Sequence, residues 1–301
     1  MSRAVSYQEA TARERLQRLF DAGSFEEFLP PSARVISPHL GQLNAPVSFD
    51  DGVVVGRALL GGVPVYTAAQ EGAFMGGAVG EVHGAKLTGL LRRAVRERAA
   101  AVVLLVESGG VRLHEANAGL IAVSEVMRAL LDARAAGVPV VVLVGGANGA
   151  FGGMGIVTRC ANSIIMSEEG RLAMSGPEVI ETANGVEEFD SRDRALVWRT
   201  TGGKHRYLLG DADRIVNDDI AAFRAAAQEA VAAVTSAALT LEALEAEQRM
   251  LERRLNDYGK LHEPADIWRA MGMPDADNLP MLDVDSFNAA AAQAVARRQG
   301  A

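Results

Sequence analysis

The sequence has little cysteine and no long apolar run. A single cysteine, Cys160, excludes an intramolecular disulfide and a four-cysteine zinc site. No stretch of about 18 apolar residues occurs, so no membrane span is expected. The first twenty residues lack the apolar segment of a signal peptide. An excess of basic residues is also missing, and the net charge of -8 argues against a nucleic-acid partner. These absences predict a soluble cytoplasmic protein.

Several motifs for nucleotide, metal and hydrolase chemistry are missing as well. The glycines near residue 150 do not follow the G-x-G-x-x-G order of a dinucleotide site. Neither the phosphate loop G-x-x-x-x-G-K-[ST] nor the nucleophile elbow G-x-S-x-G occurs. The histidines show no metal-ligand spacing, so no metal is expected, and Cys160 fits core packing better than a nucleophilic role. The histidines are His39, His83, His114, His205 and His262.

What the sequence does contain is a series of apolar runs of strand length, separated by segments with helical spacing. The continuous run AVVLLVE (101–107) is typical of a strand buried on both faces. Strands alternating with crossover helices predict an α/β architecture. The other predicted strands are VVVGRALL (53–60), VPVYTAAQ (63–70), VVVLVGG (140–146), NSIIMSE (162–168) and RLAM (171–174).

The two ends of the chain differ in character from its middle. A capping box of Ser6 and Glu9 predicts a first helix that ends near Gly23. We expect an N-terminal helical segment over 1–30, a core over 31–220 and a C-terminal helical region over 221–301, either part of the same domain or a partner interface. A heptad stripe in this last region packs back onto the parent domain or contacts a partner chain. Its members are Leu241, Leu244, Gln248, Leu251 and Leu255.

Two glycine-rich stretches follow two of the predicted strands. They are ESGGVRLHEANAG (107–119) and GGANGAFGGMG (145–155). Each leads into a helix, and helix N-termini carry unpaired N–H donors and a positive partial charge. If the loops converge, they form an oxyanion hole. The alternative is that these glycines only make tight turns.

Several motifs together resemble the β, or N-terminal, half of the acyl-CoA carboxyltransferases. They cover most of residues 10–220 in the order of that family. The resemblance implies a crotonase-like fold of repeated ββα units with C-terminal helices. In length and C-terminal helices, the chain is most similar to the family's β subunits that decarboxylate malonyl thioesters. The motifs are ARERLQRLFDAGSFEEF (12–28), FMGGAVGEVHGAKL (74–87), ESGGVRLHE (107–115), GAFGGMG (149–155) and CANSIIMSEEGRLAMSGPEVIE (160–181).

The resemblance also implies an activity and partners. We expect a biotin-independent carbon–carbon lyase subunit that converts malonyl-S-acyl carrier protein to acetyl-S-acyl carrier protein and CO2 through an enolate. Its partners would be a homologous γ subunit in a heterodimer, the acyl carrier protein and its transferase subunit. The carrier delivers a phosphopantetheine-type arm derived from dephospho-CoA, and no cofactor is bound covalently to this chain. The alternatives are a carboxyltransferase to biotin and a noncatalytic thioester-binding scaffold.

The site residues implied by the resemblance lie in the two glycine loops. Gly109 or Gly110 would supply one N–H donor, and Gly152 or Gly153 the other. Arg112 either orients a carboxylate or braces the loop, and bracing is favoured. Further residues that would bind or orient the substrate are His83, His114 and Glu115.

Departures from the family pattern narrow the choice. The four-cysteine ribbon of bacterial acetyl-CoA carboxylase β subunits is missing, and so is the M-K-M motif of a biotin carrier. Propionyl-type β subunits fuse both carboxyltransferase halves, whereas this sequence matches one half, so the other half would be a separate γ subunit. A CoA hydratase is disfavoured because a pair of pocket glutamates is not evident near the loops.

Overall fold

The structure, a computed structural model, describes residues 4–300. Its centre is a seven-stranded sheet whose strands lie in chain order. The first three strands pair antiparallel, and every later pair is parallel. The strands are β1 (Glu26–Glu27), β2 (Val53–Leu60), β3 (Val63–Gln70), β4 (Val102–Val106), β5 (Val140–Val144), β6 (Ser163–Ser167) and β7 (Arg214–Val216).

The helices follow from segments with amphipathic spacing between these strands. The helices are α1 (Ala12–Leu19), α2 (Glu81–Arg96), α3 (Asn117–Ala135), α4 (Gly152–Arg159), α5 (Pro177–Asn184), α6 (Arg194–Thr201), α7 (Gly203–Leu209), α8 (Ile220–Ala233), α9 (Leu241–Tyr258), α10 (Pro264–Ala270) and α11 (Val284–Gly300). Helices connect every pair of neighbouring parallel strands, as parallel pairing requires: α2, α3 and α4 each form one crossover, and α5, α6 and α7 together form the fourth.

The central strands separate two hydrophobic cores. Val102, Leu104 and Val106 of β4 point into a core with α2, α3 and α4. Val103 and Leu105 point into a second core with α1 and α8. Successive residues of a strand face opposite sides of the sheet, and here both sides are buried. The run is therefore apolar throughout.

A third hydrophobic cluster lies towards the C-terminus. It joins α7 and β7 to α10 and α11, with Trp268, Leu279 and Phe287 among its buried members. No helix within residues 4–300 is both long and apolar enough to cross a membrane. The division of the chain near residues 30 and 220 stays a prediction, although α1 and α8 share one core across it.

Two local predictions are wrong. The first helix begins at Ala12, and its capping box is formed by Thr11 and Glu14 instead of Ser6 and Glu9. The Ser6 hydroxyl accepts from Glu9 N over 3.0 Å and donates to the Asp218 carboxylate, but residues 7–9 form a turn and no helix. The segment RLAM is no strand, since residues 171 and 172 form only isolated bridges.

The heptad stripe of α9 does not pack back onto the parent domain, so that alternative is wrong. No residue of α9 is buried, and the exposed fractions of Leu241, Leu244, Leu251 and Leu255 are 68%, 52%, 44% and 70%. A neighbouring face of the helix contacts the body instead, where the Arg254 guanidinium donates to the Asp211 carboxylate over 3.1 Å. The leucines of α9 are therefore free to contact another surface.

Candidate active site

The two glycine loops meet at the carboxyl edge of the sheet. They follow β4 and β5, which are parallel neighbours, so both chains leave the sheet side by side. Ser108 N donates to Gly149 O over 2.7 Å, and Phe151 N donates to Ser108 O over 2.9 Å. This short parallel bridge holds the loops together as one backbone surface.

Two glycines approach each other very closely where the loops meet. Gly110 has a φ of 121° and Gly152 a φ of 54°, both in the region that favours glycine. A Cβ atom added to Gly152 would lie 3.2 Å from the Cα atom of Gly110. Glycine at these positions therefore permits both backbone conformations, and a side chain on Gly152 would also require the Gly110 backbone to shift.

The N–H groups of the four predicted glycines differ in availability. Gly109 N donates to Gly76 O over 2.8 Å, and Gly152 N donates to Met174 O over 2.9 Å. Gly110 N has a longer bond, of 3.2 Å, to the Ser108 hydroxyl. Gly153 N, in the first turn of α4, has no acceptor among residues 4–300. Gly153 thus presents the most open donor of the four.

Val111 is a further candidate donor that sequence reasoning missed. Its neighbours in the chain bind Val79, because Val79 N donates to Gly110 O and Arg112 N donates to Val79 O. The N–H of Val111 itself has no acceptor in the described part of the chain. A backbone donor of this kind leaves no residue-type signal, so only the pairing of its neighbours reveals it.

Arg112 lies in a fully buried charged cluster. Its Nη1 atom donates to both carboxylate oxygens of Asp51 over 2.9 Å and to Glu115 over 3.3 Å. Glu115 in turn accepts from Glu81 N, at the start of α2, over 2.6 Å. The side chains of Arg112, Asp51 and Glu115 are 0% exposed, a geometry that fits the predicted bracing of the loop better than contact with a substrate carboxylate.

His83 belongs to the same buried cluster, whereas His114 is exposed. His83 Nδ1 lies 3.1 Å from Asp51 O, so this nitrogen carries the hydrogen and Nε2 accepts from Gln70 Nε2 over 3.0 Å. Burial, with further contributions from Arg112 and Lys86, lowers the pKa of His83 to about 3. His83 is therefore neutral near pH 7. His114 follows the loop on an exposed 3-10 turn.

Sequence reasoning also gave no role to Glu107, in the first loop, and Asn148, in the second. The Asn148 side chain donates to Glu107 over 3.2 Å. Cys160 is half-buried against the α2–α4 core, and burial raises the pKa of its thiol, as expected for a packing residue. Within residues 4–300, no group of three or more His, Cys, Asp or Glu side chains could hold a metal ion.

Comparison with known proteins identifies related chains. The chain matches the carboxyl transferase domain over residues 6–244. It is 39% identical over 304 residues to the malonyl-S-ACP:biotin-protein carboxyltransferase MADC of Malonomonas rubra, covering 95% of both chains.

Solved structures of similar shape come from Pseudomonas. A chain of the malonate decarboxylase hetero-tetramer in complex with malonate has a TM-score of 0.81 and 41% identity, covering 89% of this chain and 97% of that one. A chain of the malonate decarboxylase MdcD-MdcE hetero-dimer has a TM-score of 0.66 and 37% identity, covering 82% and 96%. These matches confirm the crotonase-like fold and the resemblance to carboxyltransferase β subunits, including those of malonate decarboxylase. The chain therefore belongs to the carboxyl transferase domain family.

Proposed function

We propose that the chain is the β subunit of a cytoplasmic, biotin-independent malonate decarboxylase and acts together with a homologous γ subunit. The observation that carries this proposal is the joined pair of loops, with open N–H donors at Gly153 and Val111 beside Gly110. The similarity to a Pseudomonas malonate decarboxylase chain supports the choice of substrate class. The substrate is a malonyl thioester on the phosphopantetheine-type arm of an acyl carrier protein, which a transferase subunit loads.

The reaction breaks the bond between the α-carbon and the free carboxylate. CO2 leaves, and the electron pair flows into the thioester carbonyl to form an enolate. The oxygen gains negative charge in this step, so preorganised N–H donors stabilise the transition state more than the ground state. In our proposal Gly153 supplies one donor and the Gly110–Val111 segment supplies the other. The N-terminus of α4 adds its positive partial charge.

The enolate then takes a proton at the α-carbon to give the acetyl thioester. We assign the proton donor to the partner subunit. His83 is buried and neutral, and Glu115 is held by Arg112 and Glu81 N. His114, which is exposed beside the loop, is the remaining titratable candidate on this chain.

Exposed apolar side chains near the loops support a heteromeric active site. Leu113 lies in the first loop, Leu120 and Ile121 lie in the first turns of α3, and all three side chains are exposed. Met174, whose carbonyl accepts from Gly152 N, is 69% exposed. Large exposed apolar patches mark interaction sites on soluble proteins. The similar Pseudomonas chains come from a hetero-dimer and a hetero-tetramer, and we propose that this chain also assembles with a γ subunit.

A second candidate function is transfer of the carboxyl group to biotin. The specific observation in its favour is the name of the Malonomonas rubra relative, a biotin-protein carboxyltransferase. Both reactions share the enolate and the oxyanion donors, and they differ in whether CO2 leaves or is passed on. The loops serve both reactions equally, so the partner decides the outcome.

The test measures products in the purified complex with its partner subunit. Malonyl-S-acyl carrier protein should yield acetyl thioester and free CO2 without biotin, and malonyl-CoA should be a weak substitute. Free malonate should react far more slowly, because its decarboxylation gives a poorly stabilised dianion. Equal rates on free malonate and the thioester would contradict the proposed electron sink. Turnover that requires a biotinylated protein would favour the second function, and no turnover of any thioester would indicate a scaffold.

A further inference from the structure

The carboxylate of Glu107 lies between the two glycine loops and is bonded to one of them. Glu107 is the first residue after β4 and is 5% exposed. Its Oε1 atom accepts from Asn148 N over 3.3 Å and from Asn148 Nδ2 over 3.2 Å. Glu107 begins the first loop and Asn148 lies in the second. These contacts therefore add a side-chain link to the backbone bridge between Ser108 and Ala150.

The surrounding backbone is packed directly against this carboxylate. A Cβ atom on Gly72 would lie 2.2 Å from Glu107 Oε1, and one on Gly146 would lie 2.4 Å from Glu107 Oε2. Real atoms do not approach so closely, so these two positions leave room for the carboxylate only as glycine. The backbone at Gly72 and Gly146 therefore encloses the Glu107 carboxylate closely on two sides.

Arg15 neutralises the buried charge of Glu107. The guanidinium is 1% exposed and donates through Nη1 to Glu107 Oε2. Its other nitrogens donate to Tyr7 O over 2.8 Å and to Gln8 O over 3.2 Å. A buried charge is tolerated when it is paired and hydrogen-bonded in this way. The N-terminal segment thereby binds one carboxylate oxygen, Oε2, while Asn148 binds the other, Oε1.

We propose that Glu107 is a positioning residue that fixes the spacing between the two donor loops. This role rests on the proposed function, in which both loops bind one thioester oxygen. We assign Glu107 no contact with substrate, since it is buried and its carboxylate oxygens bind Arg15 and Asn148. It acts through the backbone that it holds: Ser108 follows it directly in the first loop, and Asn148 lies five residues before Gly153 in the second.

The test compares Glu107→Gln with a matched control in the purified complex. Glutamine keeps the shape and one oxygen acceptor, but it loses the charge that pairs with Arg15. The control is Asp211→Asn, which removes the charge of another buried carboxylate. Its ion-pair partners are Arg206, Arg254 and, at the far end of α4, Arg159, none of which lies in either loop. In Glu107→Gln, kcat should fall by about tenfold to a hundredfold, since small misplacements of catalytic groups have effects of this size. KM should stay within about twofold, and Asp211→Asn should keep kcat while lowering thermal stability.

A second measurement does not depend on the reaction. Amide hydrogen exchange of the full chain should speed up in peptides spanning 105–112 and 145–153 of Glu107→Gln, and not in Asp211→Asn. Unchanged exchange in both loops would overturn the proposal even if the wild-type complex has no decarboxylase activity. Full kcat in the folded Glu107→Gln complex would also overturn it. The proposal would also be overturned if Asp211→Asn, at the same loss of thermal stability, lowered kcat as much as Glu107→Gln does.

Discussion

Removing a single N–H group tests the oxyanion proposal most directly, and Gly153 permits this. Proline lacks an N–H group and is tolerated in the first turn of a helix, where Gly153 lies. A simple substitution is confounded by packing, because a Cβ atom on Gly153 would lie 2.6 Å from Val123 Cγ1. Both test variants therefore carry Val123→Ala, which removes the clashing atoms.

The informative comparison is between Gly153→Pro and Gly153→Ala in this shared background. Both add a Cβ atom and both carry the same cavity, whose cost is about 1–3 kcal/mol of stability. Only the proline variant loses the donor. Loss of one oxyanion donor lowers kcat by roughly 10²–10³, or about 3–4 kcal/mol in the transition state.

The assay is kcat for a malonyl thioester in the purified complex, with thermal unfolding measured for each variant. We expect the alanine variant to retain most of the activity of Val123→Ala alone, and the proline variant to be lower by the stated factor. Equal kcat values in folded, assembled proteins would refute the reasoning. Val111 N and the Gly110 segment would then have to carry the charge without Gly153.

Two further predictions concern assembly and pH. Leu244→Asp and Leu251→Asp should weaken binding to the partner subunit in sedimentation experiments, because they place charge on the exposed stripe of α9. The control Arg249→Glu, on another face of the helix, should leave binding unchanged. Equal binding by all three variants would show that the stripe lies outside the interface. Burial lowers the pKa of His83 from 6.5 to about 3. Between these pH values the unfolded chain binds a proton that the folded chain excludes. The free energy of unfolding should therefore decline as the pH falls from 6.5 towards 3. Urea unfolding of His83→Gln should show a shallower decline than wild type or the exposed control His114→Gln, and an identical slope in His83→Gln would contradict the assignment.

The sequence predicted the elements whose signals are local and continuous. Runs such as residues 101–107 contain apolar residues on both faces, and few structures other than a buried parallel strand accommodate that pattern. The start of the first helix could not be predicted in the same way. The chain offers two capping boxes, S-x-x-E at Ser6 and T-x-x-E at Thr11. Ser6 Oγ accepts from Glu9 N and also donates to distant Asp218, but a helix begins only after the Thr11 box.

The candidate site shows the same limit. Glycines at the ends of two strands are visible in the sequence, and adjacency of the strands brings the loops together. Which N–H groups stay open depends on partners elsewhere in the chain, such as Gly76 O for Gly109 and Met174 O for Gly152. The buried ion pair of Arg112 likewise depends on Asp51, which no local pattern links to it.

The alternation of the central strands between two cores has a consequence for how this chain can change over generations. Deleting Val102 would shift the rest of β4 by one position and so move Val103 and Leu105 to the opposite core. Inserting a residue into the loops at the carboxyl edge leaves those two packing sets untouched. Lineages carrying this fold can therefore vary the chemistry at one edge while the register of the strands below stays fixed.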